Sequence, residues 1–588
     1  MRFCQTKSAV FAQLVTIFVL FCGSCFSLDR EAFSFTDYDL QLRIEPDQHR
    51  LGVRGKITLR NETTTPQKIA VLQISSSLAW RSIKVGDKAV QFVTQPYTSD
   101  IDHTGSLAEA IVTLPQSVAP RGTVDLEIGY EGVILEDVTR LTRVGAPESV
   151  ARSTDWDQIG SGFTALRGTG YVEWYPISTE AVNLSEGNSL FEALARWKMR
   201  EAGSRTHLKI TFPFTDQTEL QILFNGIKCG PITIERTGID GVQLAECNSQ
   251  ALRVDTPTLV IADYQVLEKP AIEMRYFKGH EAAATTFAET AERVVPFITE
   301  WFGPQREKAK AAELSDPDAS PFESGALLLT PLASKDAAGN DLQAVHQLTH
   351  AAFLSFRPWI EEGLAHFAQA LYLEQQKGRQ AALDYLGSHR AAFSTIRQPN
   401  AGPPSEDEVN RSLVNTADEQ LYRSKAMCVW WMLRDMVGGA AIKKALAAYR
   451  PEQDKEPSYM QRLIAAQDSR DLEWFFDDWI YRDHGLPDFK VDSVFSRRAT
   501  TGTFLVTITV DNLGSAGAEV PLFVKFAGGS VTKRLEVHAK SKATIRVQTP
   551  AAPHEITVND GSVPESDMTN NVFKVEASAL PEGPAVKQ

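Results

Sequence analysis

The chain has 588 residues, 43% of them hydrophobic and 23% charged, with a formal net charge of −14. That length exceeds what one hydrophobic core holds, so three or four domains are expected from an ordinary folded composition. The acidic balance argues against nucleic acid and anionic membrane surfaces as partners.

In chain order, the first segment reads as an export signal. Arg2 and Lys7 precede the apolar run VFAQLVTIFVLFCGSCF, with small residues near Ser27 where cleavage is expected. A membrane anchor is the competing reading, but the run is short for a bilayer span and contains Gln13. No later stretch is long and apolar enough to span, so the mature chain is expected to carry no transmembrane segment. The destination is periplasmic, extracellular or envelope-associated.

Residues 28–270 read as an antiparallel β-rich domain. Tyr38, Leu40, Leu42 and Ile44 alternate with polar residues, as do Val124, Leu126, Ile128 and Tyr130, then Leu208, Ile210, Phe212 and Phe214. Three of the six cysteines lie in the signal; Cys229 and Cys247 flank the turn-like ERTGIDG, where a disulfide or two buried thiols would fit. Residues 271–487 read as α-rich. EAAATTFAETAERVVPFITEWFG collects Phe287, Ala291, Val294, Phe297, Ile298 and Trp301 on one side, with Pro296 as an expected kink. Cys428 falls in an apolar helical pattern and reads as core. In residues 488–578 the alternation returns through Phe504, Val506, Ile508 and Val510, which suggests an immunoglobulin-like β-sandwich. Residues 579–588 read as a disordered tail.

AVHQLTHAAF places His346 and His350 at i and i+4, on one helix face, where both imidazoles can reach one Zn²⁺. Pro358 ends that helix and suits the first turn of the next, WIEEGLAHFAQALYLEQQ. A helix–turn–helix of this kind can return a carboxylate to the histidine pair. Spacing alone leaves both Glu361 and Glu362 open.

WIEEGLAHF resembles the W-x-x-E-G-x-A-x-F segment of the membrane-alanyl-aminopeptidase and leukotriene A4 hydrolase family of gluzincin metallopeptidases. HQLTH resembles its His-Glu-x-x-His motif, LYRSKAMCVWWMLRDMVGGAAIKKALAAY its tyrosine-bearing helix, and GYVEWYP and FFDDWIYRDHGLPDF further segments in the same order. The resemblance spans about residues 37–490. It implies a thermolysin-like zinc peptidase domain, one zinc ion held by His346, His350 and Glu362, peptide or protein substrates, and Tyr422 as stabiliser of the oxyanion. Adjacent helical residues point about 100° apart, so Glu361 is expected to face solvent. His366, four residues past Glu362, is expected to lie at the surface or behind the ligands.

Three departures matter. Only eleven residues separate His350 from Glu362, so a substrate-facing loop of the family is missing. The Gly-Ala-Met-Glu-Asn exopeptidase motif is absent, with Glu323 in PFESGALLLTPL as its nearest counterpart. Gln347 stands where the family has its catalytic glutamate, and an amide cannot take and return a proton at ordinary pH. The implied function is an exported peptidase-like protein whose activity is weakened or lost. The alternative is a non-catalytic zinc-binding pseudopeptidase that binds peptides or envelope proteins.

Overall fold

The computed structural model describes residues 28–214, 220–230, 233–237, 240–332, 337–390, 412–416, 418–500 and 502–575. The expected signal peptide (1–27) and the expected tail (579–588) lie outside the described residues.

Period-two alternation in the first third builds an eight-stranded sheet. Its centre pairs Phe33–Glu45 antiparallel to Arg50–Asn61 and parallel to Arg205–Phe214, with Leu40 opposite both Gly55 and Leu208. One face buries Tyr38, Leu40, Leu42, Ile44, Leu126, Ile128 and Tyr130, the residues the alternation singles out. A disulfide joins Cys229 to Cys247. Cys247 sits on the strand Asp240–Ser249 of this sheet, whereas Cys229 follows the strand Ile227–Lys228 of a neighbouring four-stranded sheet. The bond therefore ties two sheets together.

The strands Tyr264–Glu268 and Ile272–Phe277 form a hairpin that pairs Glu268 with Glu273, across residue 270. They open a five-stranded mixed sheet with Ala309–Glu313, Leu327–Thr330 and the edge strand Phe322–Ser324. The α-rich reading from residue 271 misses this sheet, because its strands are three to six residues long and leave little room for a periodic signal. The helix Glu281–Phe302 makes the crossover between two of its parallel strands and buries Phe287, Ala291, Val294, Phe297 and Ile298. It is one continuous helix through Pro296.

Beyond it, helices Ala337–Ala352, Pro358–Lys377 and Ala426–Val437 pack around fully buried Trp359, Trp430 and Trp431. The C-terminal region is β-rich, with a three-stranded and a four-stranded sheet. Its core is continuous with the helical core, and Trp479 donates to the carbonyl of Gly517 at 2.7 Å across the junction. None of the described helices is long and apolar enough to cross a membrane.

Candidate metal centre

Two helices and a tight connection assemble the site. Arg357 is extended (φ −107°, ψ 116°), as a residue before proline must be, and Pro358 opens the second helix. Gly363 lets that helix lie close to its neighbour: a Cβ there would come within 2.7 Å of the Ala426 Cβ. This approach fixes the face on which Glu362 returns to the histidines.

His346 Nε2 and His350 Nε2 lie 3.3 Å apart. Glu362 Oε2 is 3.9 Å from His346 Nε2, and Glu362 Oε1 is 3.5 Å from His350 Nε2. One ligand atom from each residue lies within 4.8 Å of the other two. Donors sharing a tetrahedral zinc ion stand about 3.3–3.5 Å apart, so this donor set fits that metal in number, type and spacing.

The surrounding polar groups are unevenly satisfied. Gln347 is buried and donates through Nε2 to Glu323 Oε1 at 3.0 Å, while its Oε1 has no hydrogen-bond partner. His346 Nδ1 and both ring nitrogens of His366 are likewise buried and unpartnered. The His366 ring meets His346 edge-on, with centroids 4.9 Å apart, so it stands behind the histidine pair. Buried polar atoms normally find partners, and a cluster of exceptions at one place marks a site that completes itself with something else.

Electrostatics separates the carboxylates. Burial would raise Glu362, but Arg423, His350 and His346 outweigh it and hold the group well below the ordinary range. Arg423 Nε donates to Glu362 Oε2 at 2.9 Å. Glu323 is pushed up by burial, with the charge of Glu362 adding to it. Burial lifts Glu361 to about 7, although His350 and Lys198 pull it down. Its Oε1 lies 3.9 Å from His350 Nδ1 and its side chain is only 29% exposed, so the expectation that Glu361 faces solvent is corrected. Neighbouring helices pack against the glutamate helix, and both Glu361 and Glu362 are half-buried, so a 100° step does not carry the side chain into open solvent.

Tyr422 sits in a one-turn π-helix, Leu421–Lys425, and its ring meets Phe191 perpendicularly at 5.5 Å. Phe191 belongs to the helix Ser189–Glu201 of the N-terminal region, so the cleft lies between that region and the helical one. Burial and the charge of Glu362 push the Tyr422 phenol upward. The edge strand carrying Glu323 is held from the N-terminal side. Trp156 Nε1 donates to the Ser320 carbonyl at 3.0 Å, and Tyr171 packs edge-on against Phe322. Sequence reading missed Arg423, Lys198 and Phe191. Only the position of Arg423 beside Tyr422 in the motif could have flagged it.

No protein-family profile matches the sequence, and no curated protein does. Solved structures match in fold. One is a mutant M1 zinc metallopeptidase from Deinococcus radiodurans bound to a Tyr-Ser-Ala substrate, with TM-score 0.53, 17% identity, 79% of this chain covered and 97% of that one. Another is a two-domain M1 zinc metallopeptidase mutant bound to L-arginine, with TM-score 0.50, 17% identity, and 74% and 91% covered. The fold that carries these elements is thus similar to that of the two M1 zinc metallopeptidases.

Proposed function

We propose that this chain is an exported zinc metallopeptidase-like protein in which His346, His350 and Glu362 hold one zinc ion and peptide hydrolysis is strongly weakened by Gln347. The convergence of those three side chains within 4.8 Å carries the reading. The same reading takes residues 1–27 as the signal, 28–270, 271–487 and 488–578 as the domains, and the last of these as immunoglobulin-like.

When bound, zinc would polarise a peptide carbonyl and acidify a water. The protein's own groups then divide the work. The Tyr422 O–H offers a donor for the oxyanion that develops on the carbonyl. Gln347 Oε1, buried and unpartnered, accepts a hydrogen bond and so orients a water, but it removes no proton. Glu323 fixes the amide through Nε2, and its carboxylate is the group of the right type nearest to the missing base. The edge-on contact of Phe191 with Tyr422 narrows the cleft beside the ligands.

The pairing of Gln347 with Glu323 favours a second reading, a pseudopeptidase that binds peptides around a zinc ion without cleaving them. Hydrolysis of a mixed peptide library by the parent and by Gln347→Glu, each with zinc measured, separates the two. Strong, chelator-sensitive cleavage by the parent would overturn the weakening assigned to Gln347. Cleavage that arises only in the variant supports it.

A further inference from the structure

Glu362 is unusual among the three candidate ligands in already having a full cationic partner. Arg423 Nε sits 2.9 Å from its Oε2, and the same guanidinium pairs with Glu419, one helical turn earlier. Arg423 is 38% exposed and Glu419 55%, whereas His346 is half-buried and His350 buried, and among the described residues neither forms an ion pair with a lysine or arginine. A carboxylate withdrawn from most of its water needs a compensating charge, and the Arg423 guanidinium supplies one to Glu362.

We propose that Arg423 is a built-in competitor for the metal: it neutralises Glu362 when the ligands are unloaded, lowers zinc affinity, and shifts its pairing toward Glu419 when the ion arrives. This inference rests on His346, His350 and Glu362 being the metal ligands. Two effects oppose each other. A hydrogen bond from Arg423 orients the carboxylate, which favours binding. A fixed positive charge beside a dication repels it, an effect that water at the partly exposed guanidinium reduces but does not cancel. The second wins because Glu362 needs no orienting donor: Gly363 and the close helix packing already fix its direction. Glu419 gives the guanidinium somewhere to go, since both acceptors lie on the reach of one side chain. The site is therefore an exchangeable one, loaded according to the zinc available.

The test is zinc affinity of the full chain, measured by competition with a chromophoric chelator, for the parent, Arg423→Met and Glu419→Gln. Removing the charge in Arg423→Met tightens binding about 10-fold, the order expected from removing one water-screened positive charge beside a dication. Removing the second acceptor in Glu419→Gln weakens binding, because the guanidinium then stays on Glu362. In addition, the chelator-treated Arg423→Met protein melts lower than the chelator-treated parent, while the zinc-loaded forms melt alike. Unchanged or weaker binding in Arg423→Met overturns the inference by assigning Arg423 an orienting role. If that variant fails to fold, Glu419→Gln decides, and affinity equal to or above the parent's overturns the inference. A parent that binds no zinc at all removes the metal-site reading and this inference with it, whereas a parent that binds zinc with unchanged variants removes only the inference.

Discussion

Two buried charged clusters lie on either side of the cleft, and they are built on opposite plans. In the N-terminal region Arg140 donates to both Asp155 oxygens, at 2.9 and 2.6 Å, and to the Asp100 carbonyl at 3.1 Å. Arg167 binds Asp157 twice and lies between the rings of Trp156 and Tyr171, each 3.7 Å away. All four of these charged side chains are answered, although the ring nitrogens of the adjoining buried His103 are not. In the helical region His346, His366 and Gln347 keep buried polar atoms without partners. A satisfied cluster holds a fold together; an unsatisfied one of metal-ligating type is built to receive something. The same contrast separates stability from function, and it can be broken by experiment.

The largest expected effect is on chemistry. Gln347→Glu alone would bring a second carboxylate to about the 3.0 Å that now separates the amide from Glu323, so the two would share a proton. Gln347→Glu combined with Glu323→Gln restores one free carboxylate and raises kcat/KM on peptides about 10²–10⁴-fold over the parent. The single variant gains less. Equal gains in both would show that Glu323 does not control position 347.

Next comes stability on the satisfied side. Asp155→Asn leaves Arg140 buried without its counter-charge and costs about 3–5 kcal/mol in denaturant unfolding. His350→Ala, on the unsatisfied side, abolishes zinc binding at a much smaller cost to the metal-free protein. Comparable losses from both would erase the distinction drawn between the clusters.

A smaller effect follows pH. Burial lifts Glu201 to about 7 and Glu565 to about 7. An acid raised on folding binds its proton more tightly in the native state than in the unfolded one. The native form therefore holds more protons between the ordinary carboxylate range and pH 7, and stability falls as pH rises through that window. Loss on the order of 1–3 kcal/mol from pH 5 to pH 8 is expected, reduced by Glu201→Gln. A flat profile would contradict it.

The smallest effect tests His366. Its ring nitrogens have no partner to lose, so His366→Leu leaves the melting temperature level or slightly higher, with zinc content unchanged. Loss of zinc in that variant would make His366 a ligand.

Much of this architecture was legible in the residues. Two histidines one helical turn apart and a proline that stops and restarts the helix are local signals. The return of Glu362, rather than Glu361, came through resemblance to gluzincins, and the close packing at Gly363 gives the physical reason. What the sequence hid is tertiary. Arg423 reaches Glu362 across 61 positions. Glu361 lies beside His350 of the histidine helix and feels the charge of Lys198, neither of which its own helical phase reveals. The short strands of the mixed sheet carry too few residues to show a period, so the edge strand that presents Glu323 could not be read in advance.

Zinc stoichiometry addresses the central claim most directly. Metal analysis of the purified full chain after equilibration with zinc should find one ion per chain in the parent and none in His346→Ala, both folded by circular dichroism. A parent without zinc, or a folded His346→Ala protein that retains one ion, would contradict the account.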